Sequence, residues 1–178
     1  MKKLKLMFIG IFLIPLLSMT IGKIELELKS LLSDKVELKI PKKFNIMPEE
    51  LMKLKYPSER RPTLVYSNES GGINVALNLT QSKASQDLIE PYVENFVNTF
   101  KKMYPSAEWK GSGVKEINGQ KVGYLKLITP AIDTKIYNVM FFTDMEGKLL
   151  LSTFNCTENS ITEWEQTADE IMNSLRIK

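Results

Sequence analysis

Catalysis and metal binding need side chains that exchange protons, attack or ligate, and in this sequence they are few and scattered. There is no histidine, which removes the commonest neutral-pH general base, every His-dependent nucleophile pair and every His-containing metal site. The single thiol, Cys156, therefore lacks the usual partner that would stabilise a thiolate, and it reads as a small apolar residue at the end of a buried strand. One cysteine also excludes an intrachain disulfide, a CxxC redox pair and a Cys-rich zinc site. Carboxylates come as neighbours at Glu49/Glu50, Asp144/Glu146, Glu163/Glu165 and Asp169/Glu170, whereas acid/base work on a glycosidic bond needs carboxyls that converge across a cleft. The stretch Asp144-Met145-Glu146-Gly147 has too few oxygens for calcium and reads as a turn. Gly71-Gly72 and Gly111-Ser112-Gly113 are not followed by a helix start or by GK[ST], so they are not phosphate cradles. Ser82-Lys83 and Ser85 are too close in sequence to meet as a hydrolase dyad. No cofactor or metal is expected.

What remains is recognition chemistry. The segment Tyr56 to Pro62, Tyr-Pro-Ser-Glu-Arg-Arg-Pro, cannot be regular structure because each proline restricts the residue before it. Such a loop displays Tyr56, Glu59, Arg60 and Arg61 with little entropy to lose on docking, and an arginine can hold a carboxylate with two parallel hydrogen bonds. Asp133, in the connection Thr129 to Asp133, is a second candidate on the same rim. An alternative is an apolar pocket between a long helix and the sheet, lined by Tyr92, Phe96 and Trp109. Three glycosylation patterns, Asn68-Glu-Ser70, Asn78-Leu-Thr80 and Asn155-Cys-Thr157, also occur, but the second and third fall inside strand-like runs and read as accidental.

These residues are positioned by alternating and helical runs. Val36, Leu38 and Ile40 alternate with Glu37 and Lys39, predicting a strand that Pro41 ends. Pro48 followed by Glu49 and Glu50 predicts a short helix to about Leu54. Leu64 to Asn68 and Ile73 to Thr80 predict a hairpin. Between Asp87 and Tyr104, apolar residues recur at spacings of three and four, the pattern of an amphipathic helix. Four strands follow, Trp109 to Ile117, Lys121 to Thr129, Lys135 to Thr143 and Lys148 to Cys156, joined at Asn118-Gly119, Pro130 to Thr134 and Asp144 to Gly147. A last helix begins near Ser160, where Ser-x-x-Glu matches a capping box, and carries Trp164, Ala168, Ile171, Met172 and Leu175 on one stripe. Runs of strands with two substantial helices and no βαβ alternation predict an α+β fold, an αβα sandwich with a mainly antiparallel sheet.

The chain has 178 residues, and its 43% hydrophobic and 25% charged residues suit one folded domain, expected over 36–178. Residues 23–35 are expected to be an N-terminal arm or edge strand. Residues 1–22 have the parts of an export signal: Lys2, Lys3 and Lys5, an apolar run from Leu6 to Leu17, then Ser18, Thr20 and Gly22. The apolar core is short for a spanning helix, so a cleaved signal peptide is the first reading and an uncleaved anchor the second. With that segment removed, the net charge of +3 falls to 21 basic against 21 acidic residues. Without a basic face, nucleic acid is not an expected partner.

The order of elements, with Val36 to Ile40 running into Pro41-Lys42-Lys43-Phe44 and a last strand Leu149 to Cys156 followed by Trp164, Ile171, Met172, Asn173, Ser174 and Leu175, resembles the PsbP/DcrB-like superfamily, which includes Mog-type Ran-binding factors. The resemblance spans about Val36 to Lys178 and contains no catalytic motif. It implies an αβα sandwich used as a binding or assembly accessory, and no enzyme. Together with the export segment it sets the expectation of a periplasmic or extracellular, non-enzymatic protein acting on a protein or envelope component. The alternative is a carrier of a lipid or small molecule in the helix–sheet pocket.

Overall fold

A computed structural model of the chain describes residues 23–58 and 61–178. The export segment 1–22, and Glu59 and Arg60, lie outside the described residues.

Seven strands form the main sheet: β3 (Asn45–Ile46), β4 (Leu64–Ser67), β5 (Asn74–Lys83), β6 (Glu108–Ile117), β7 (Gln120–Pro130), β8 (Lys135–Met145) and β9 (Lys148–Thr157). Their spatial order is β3-β4-β5-β9-β8-β7-β6, and every neighbouring pair is antiparallel. A second, three-stranded sheet of β1 (Leu26–Leu31), β2 (Val36–Pro41) and β10 (Arg176–Ile177) has β2 at its centre. The helices are α1 (Glu49–Lys55), α2 (Ile89–Met103) and α3 (Ile161–Met172). This is the α+β arrangement with a mainly antiparallel sheet expected from the sequence. The small sheet is an addition: the two-residue β10 is too short to carry a period, and only tertiary contact with Val36 and Glu37 makes it a strand.

Because side chains alternate across a strand, each face of the main sheet builds its own core. On one face Val75, Leu77, Val139, Phe141, Leu150 and Phe154 pack against Val36, Leu38 and Ile40 of β2 and Trp164, Ala168 and Ile171 of α3. On the other, Leu125, Leu127, Met140, Phe142 and Leu149 pack under Ile89 and Val93 of α2. A smaller cluster on that second face, Met47, Val65 and Ala76, receives Leu51, Met52 and Tyr56 from α1 and its end.

Two local expectations are corrected. The β8–β9 connection is a two-residue turn rather than a four-residue loop, because Glu146 adopts φ 52° and Gly147 φ 75°, the same left-handed pair that Asn118 and Gly119 supply between β6 and β7. The Glu146 carboxylate is held by Lys35 Nζ at 2.7 Å, a long-range contact that sequence spacing does not reveal. The capping box at Ser160 does not form. A 3-10 turn over Glu158–Ser160 precedes α3 and leaves Ser160 in helical conformation (φ −97°, ψ −3°), with its hydroxyl 3.3 Å from Thr157 Oγ1.

Candidate functional site: an uncovered strip of sheet

The two helices on the second face leave a gap. α1 lies over β4 and the start of β5 through Val65 and Ala76, while α2 lies over β6, β7 and β8. Between them, Asn78 of β5 and Thr153 and Asn155 of β9 belong to neither helix-covered cluster. A cleft of about 260 Å³ forms there, floored by Ala76 and Asn78 of β5 and Leu151, Thr153 and Asn155 of β9, and walled by Tyr56 and Pro62. The sheet register places Asn78 beside Leu151, Ala76 beside Thr153 and Asn74 beside Asn155, so polar groups are distributed along both strands.

One side of this floor is anchored by a chain of amides. Asn155 Nδ2 donates to Asn138 Oδ1 at 2.6 Å, and Asn138 Nδ2 donates in turn to the Ile136 carbonyl at 2.8 Å and to Thr129 Oγ1 at 3.1 Å. The wall is tied down as well: the Tyr56 hydroxyl donates to Asn74 Oδ1 at 3.4 Å, and Arg61 Nε donates to the Tyr56 carbonyl at 3.0 Å. Burial pushes the Tyr56 phenol above its ordinary pKa, so it remains a neutral hydrogen-bonding group. The Asn78 amide, the Thr153 hydroxyl and Asn155 Oδ1, by contrast, make no hydrogen bond within the described residues. They face the cleft with donors and acceptors available.

The cleft's polar side chains are hydrogen-bonding groups. Cys156 follows Asn155 but points to the opposite face, fully buried, and burial pushes its thiol up to about 12. Among the described residues no group of three Cys, Asp or Glu side chains is placed to hold a metal ion.

Comparison with known proteins identifies the architecture. No family model and no curated protein matches the chain. Among solved structures, the cyanobacterial PsbP (CyanoP) of Synechocystis sp. PCC 6803 superposes with a TM-score of 0.61 at 16% identity, covering 89% of this chain and 96% of that one. This chain has the PsbP/Mog1-like fold. LpqN of Mycobacterium tuberculosis shares it at TM-score 0.51 and 11% identity over 80% of this chain and 83% of that one. A variant of the protein Mog1 does so at 0.51 and 9% over 86% and 96%. At these identities the likeness establishes the PsbP/Mog1-like fold alone, in agreement with the resemblance read from the sequence.

Within the PsbP/Mog1-like frame the residues singled out in the sequence separate. Tyr56 lines the cleft and Arg61 braces it from behind, while Glu59 and Arg60 lie outside the described residues. Asp133 is exposed on the β7–β8 turn beside Ile132 and does not line the cleft. At the alternative pocket, Tyr92 and Phe96 stack on each other and both meet the Phe142 ring edge-on, with centroids 6.5 and 4.9 Å away. Trp109 lies on β6 with Lys101 Nζ 5.9 Å from its ring centre. A larger cleft of about 510 Å³, on the α3 side, includes Lys42 and Phe44 and Trp164, but Lys42 is paired with Glu25 at 2.8 Å and both rings are turned into the core.

Asn78, Thr153, Asn155 and Asn138 were not singled out for binding from the sequence. A signal for them exists: in β9 one face runs Leu149, Leu151, Thr153, Asn155, changing from apolar to polar halfway along a strand whose other face stays mostly apolar. Such a change marks where the covering helix stops.

Proposed function

We propose that the protein is a non-catalytic, exported binding or assembly accessory that engages a protein or envelope component through the strip between α1 and α2. The observation that carries this reading is the cleft itself: a rigid sheet face, left bare by both helices, whose Asn78, Thr153 and Asn155 present hydrogen-bonding groups with no partner inside the described protein. Polar groups fixed on strands lose little entropy on binding, so such a face favours recognition. Support for an envelope role comes from the likeness to LpqN, described as involved in cell envelope biogenesis, and from the export pattern of residues 1–22. No helix among the described residues is long and apolar enough to cross a membrane.

The test is site-specific photo-crosslinking in cells of the source organism. A diazirine amino acid replacing Thr153 is expected to yield a discrete adduct, and the same group replacing Glu165, on the exposed side of α3, is not. No adduct from position 153, or the same adducts from both positions, overturns the assignment of this face.

A further inference from the structure

We infer that the ligand of the strip is a neutral saccharide, a sugar unit of an envelope glycan; this deepens the binding reading above and rests on it. Three features of the cleft converge on that class. First, its free groups are of both senses. The Asn78 amide offers donors and acceptors, the Thr153 hydroxyl offers one donor and acceptor lone pairs, and Asn155 Oδ1 accepts. A sugar hydroxyl donates and accepts at once, so a ring of hydroxyls can satisfy such a floor from one side.

Second, none of the described residues lining the cleft carries a formal charge. A phosphate or carboxylate docked there would lose hydration without gaining a counter-charge from the floor, which is costly. The guanidinium of Arg61, beside the wall, is braced on the Tyr56 carbonyl. Third, Tyr56, Pro62, Ala76 and Leu151 add apolar surface among the polar groups. A pyranose has the matching pattern, with C–H faces between its outward hydroxyls.

The geometry also disfavours an extended peptide. A peptide strand binds a sheet by pairing its backbone with an open edge. Here β5 lies between β4 and β9, and β9 between β5 and β8, so the floor offers side chains and no free edge. Adjacent strands ~4.8 Å apart and alternate residues ~7 Å apart set a grid of hydrogen-bonding groups at the scale of one or two sugar rings.

The inference is tested by NMR titration of the full described chain, following the side-chain amide signals of Asn78 and Asn155. The probes are cellotetraose, maltotetraose and the tetramer of N-acetylglucosamine, with an oligogalacturonate as the anionic control. At least one neutral probe is expected to shift both amides saturably while the oligogalacturonate does not. Thr153→Val and Asn78→Ala are each expected to weaken that binding about tenfold, the loss of roughly one hydrogen bond, with the remaining spectrum unchanged as the check on folding. No saturable shift with any neutral probe, or an equal response to the anionic control, overturns the saccharide assignment. The crosslinking result separates the two levels. A polypeptide adduct at position 153 without a sugar response removes the ligand class and leaves the face in place; no adduct and no response removes both.

Discussion

Ser152 lies between Leu77 and Phe141 on the neighbouring strands, fully buried, and its hydroxyl has no hydrogen-bond partner among the described residues. A desolvated hydroxyl without a partner costs more than it contributes, so Ser152→Ala is expected to raise stability by about 1 kcal/mol, read as a higher urea midpoint at unchanged slope. One residue along, Thr153 is also polar, but it faces the bare strip, where its hydroxyl is available to a ligand. Adjacent residues of similar chemistry thus sit in opposite environments, and residue type alone does not separate them. Asn78 and Asn155 show the same limit: in the sequence they stand only within chance glycosylation patterns, because their place in the cleft depends on a gap between helices far from them in sequence. Tyr56 and Arg61 were legible earlier, since the prolines of their segment exclude regular structure by local sterics.

At the scale of elements, local rules placed what has a strong period. The alternation of Val36, Leu38 and Ile40 and the helical stripe of residues 88–103 correspond to β2 and to α2 with its preceding 3-10 turn, because each buries one face against the main sheet. Contacts distant in sequence set the rest, as with Lys35 and the Glu146 turn, or β10 on β2. The approach of α2 to the sheet depends on Gly123 of β7. A Cβ there would stand 2.4 Å from the Phe142 ring and 2.9 Å from Val93 Cγ2 of α2, with no room to shift between them. Gly123→Ala is therefore expected to destabilise the protein by about 2–3 kcal/mol through overpacking, measured by thermal or urea unfolding. Val93→Ala in the same chain should return part of that loss, because it removes one of the two obstacles.

For the whole molecule, the layered arrangement buries groups that must keep their protons. Cys156 is fully enclosed and its thiol is pushed from 9.0 up to about 12 by burial, with Glu163 adding to the shift. The Tyr137 phenol, also fully enclosed, is raised from 10.0 by burial first and by the α3 carboxylates Glu165 and Asp169 second. Both pKa values are higher folded than unfolded, so the folded state binds more protons in alkaline solution. Their stabilising contribution is complete below pH 9 and falls as pH rises through 12, with each group losing about 1.4 kcal/mol per pH unit inside its window. Chemical denaturation between pH 8 and 11 is expected to show this decline, and Cys156→Ala should make the onset shallower. A flat profile over that range would contradict the enclosure of both groups.

The small sheet has a practical corollary. β1 and β10 flank β2 on the α3 side of the main sheet, and Lys178 closes that sheet through its amide to the Lys35 carbonyl at 2.9 Å and its ammonium to Glu37 at 2.9 Å. The first and last strands of the described chain therefore emerge behind the bare strip, on the far side of the main sheet. A reporter, affinity handle or surface linkage attached after Lys178 would leave the Asn78–Thr153 face turned outward, so immobilised protein is suited to direct screening of glycans in solution.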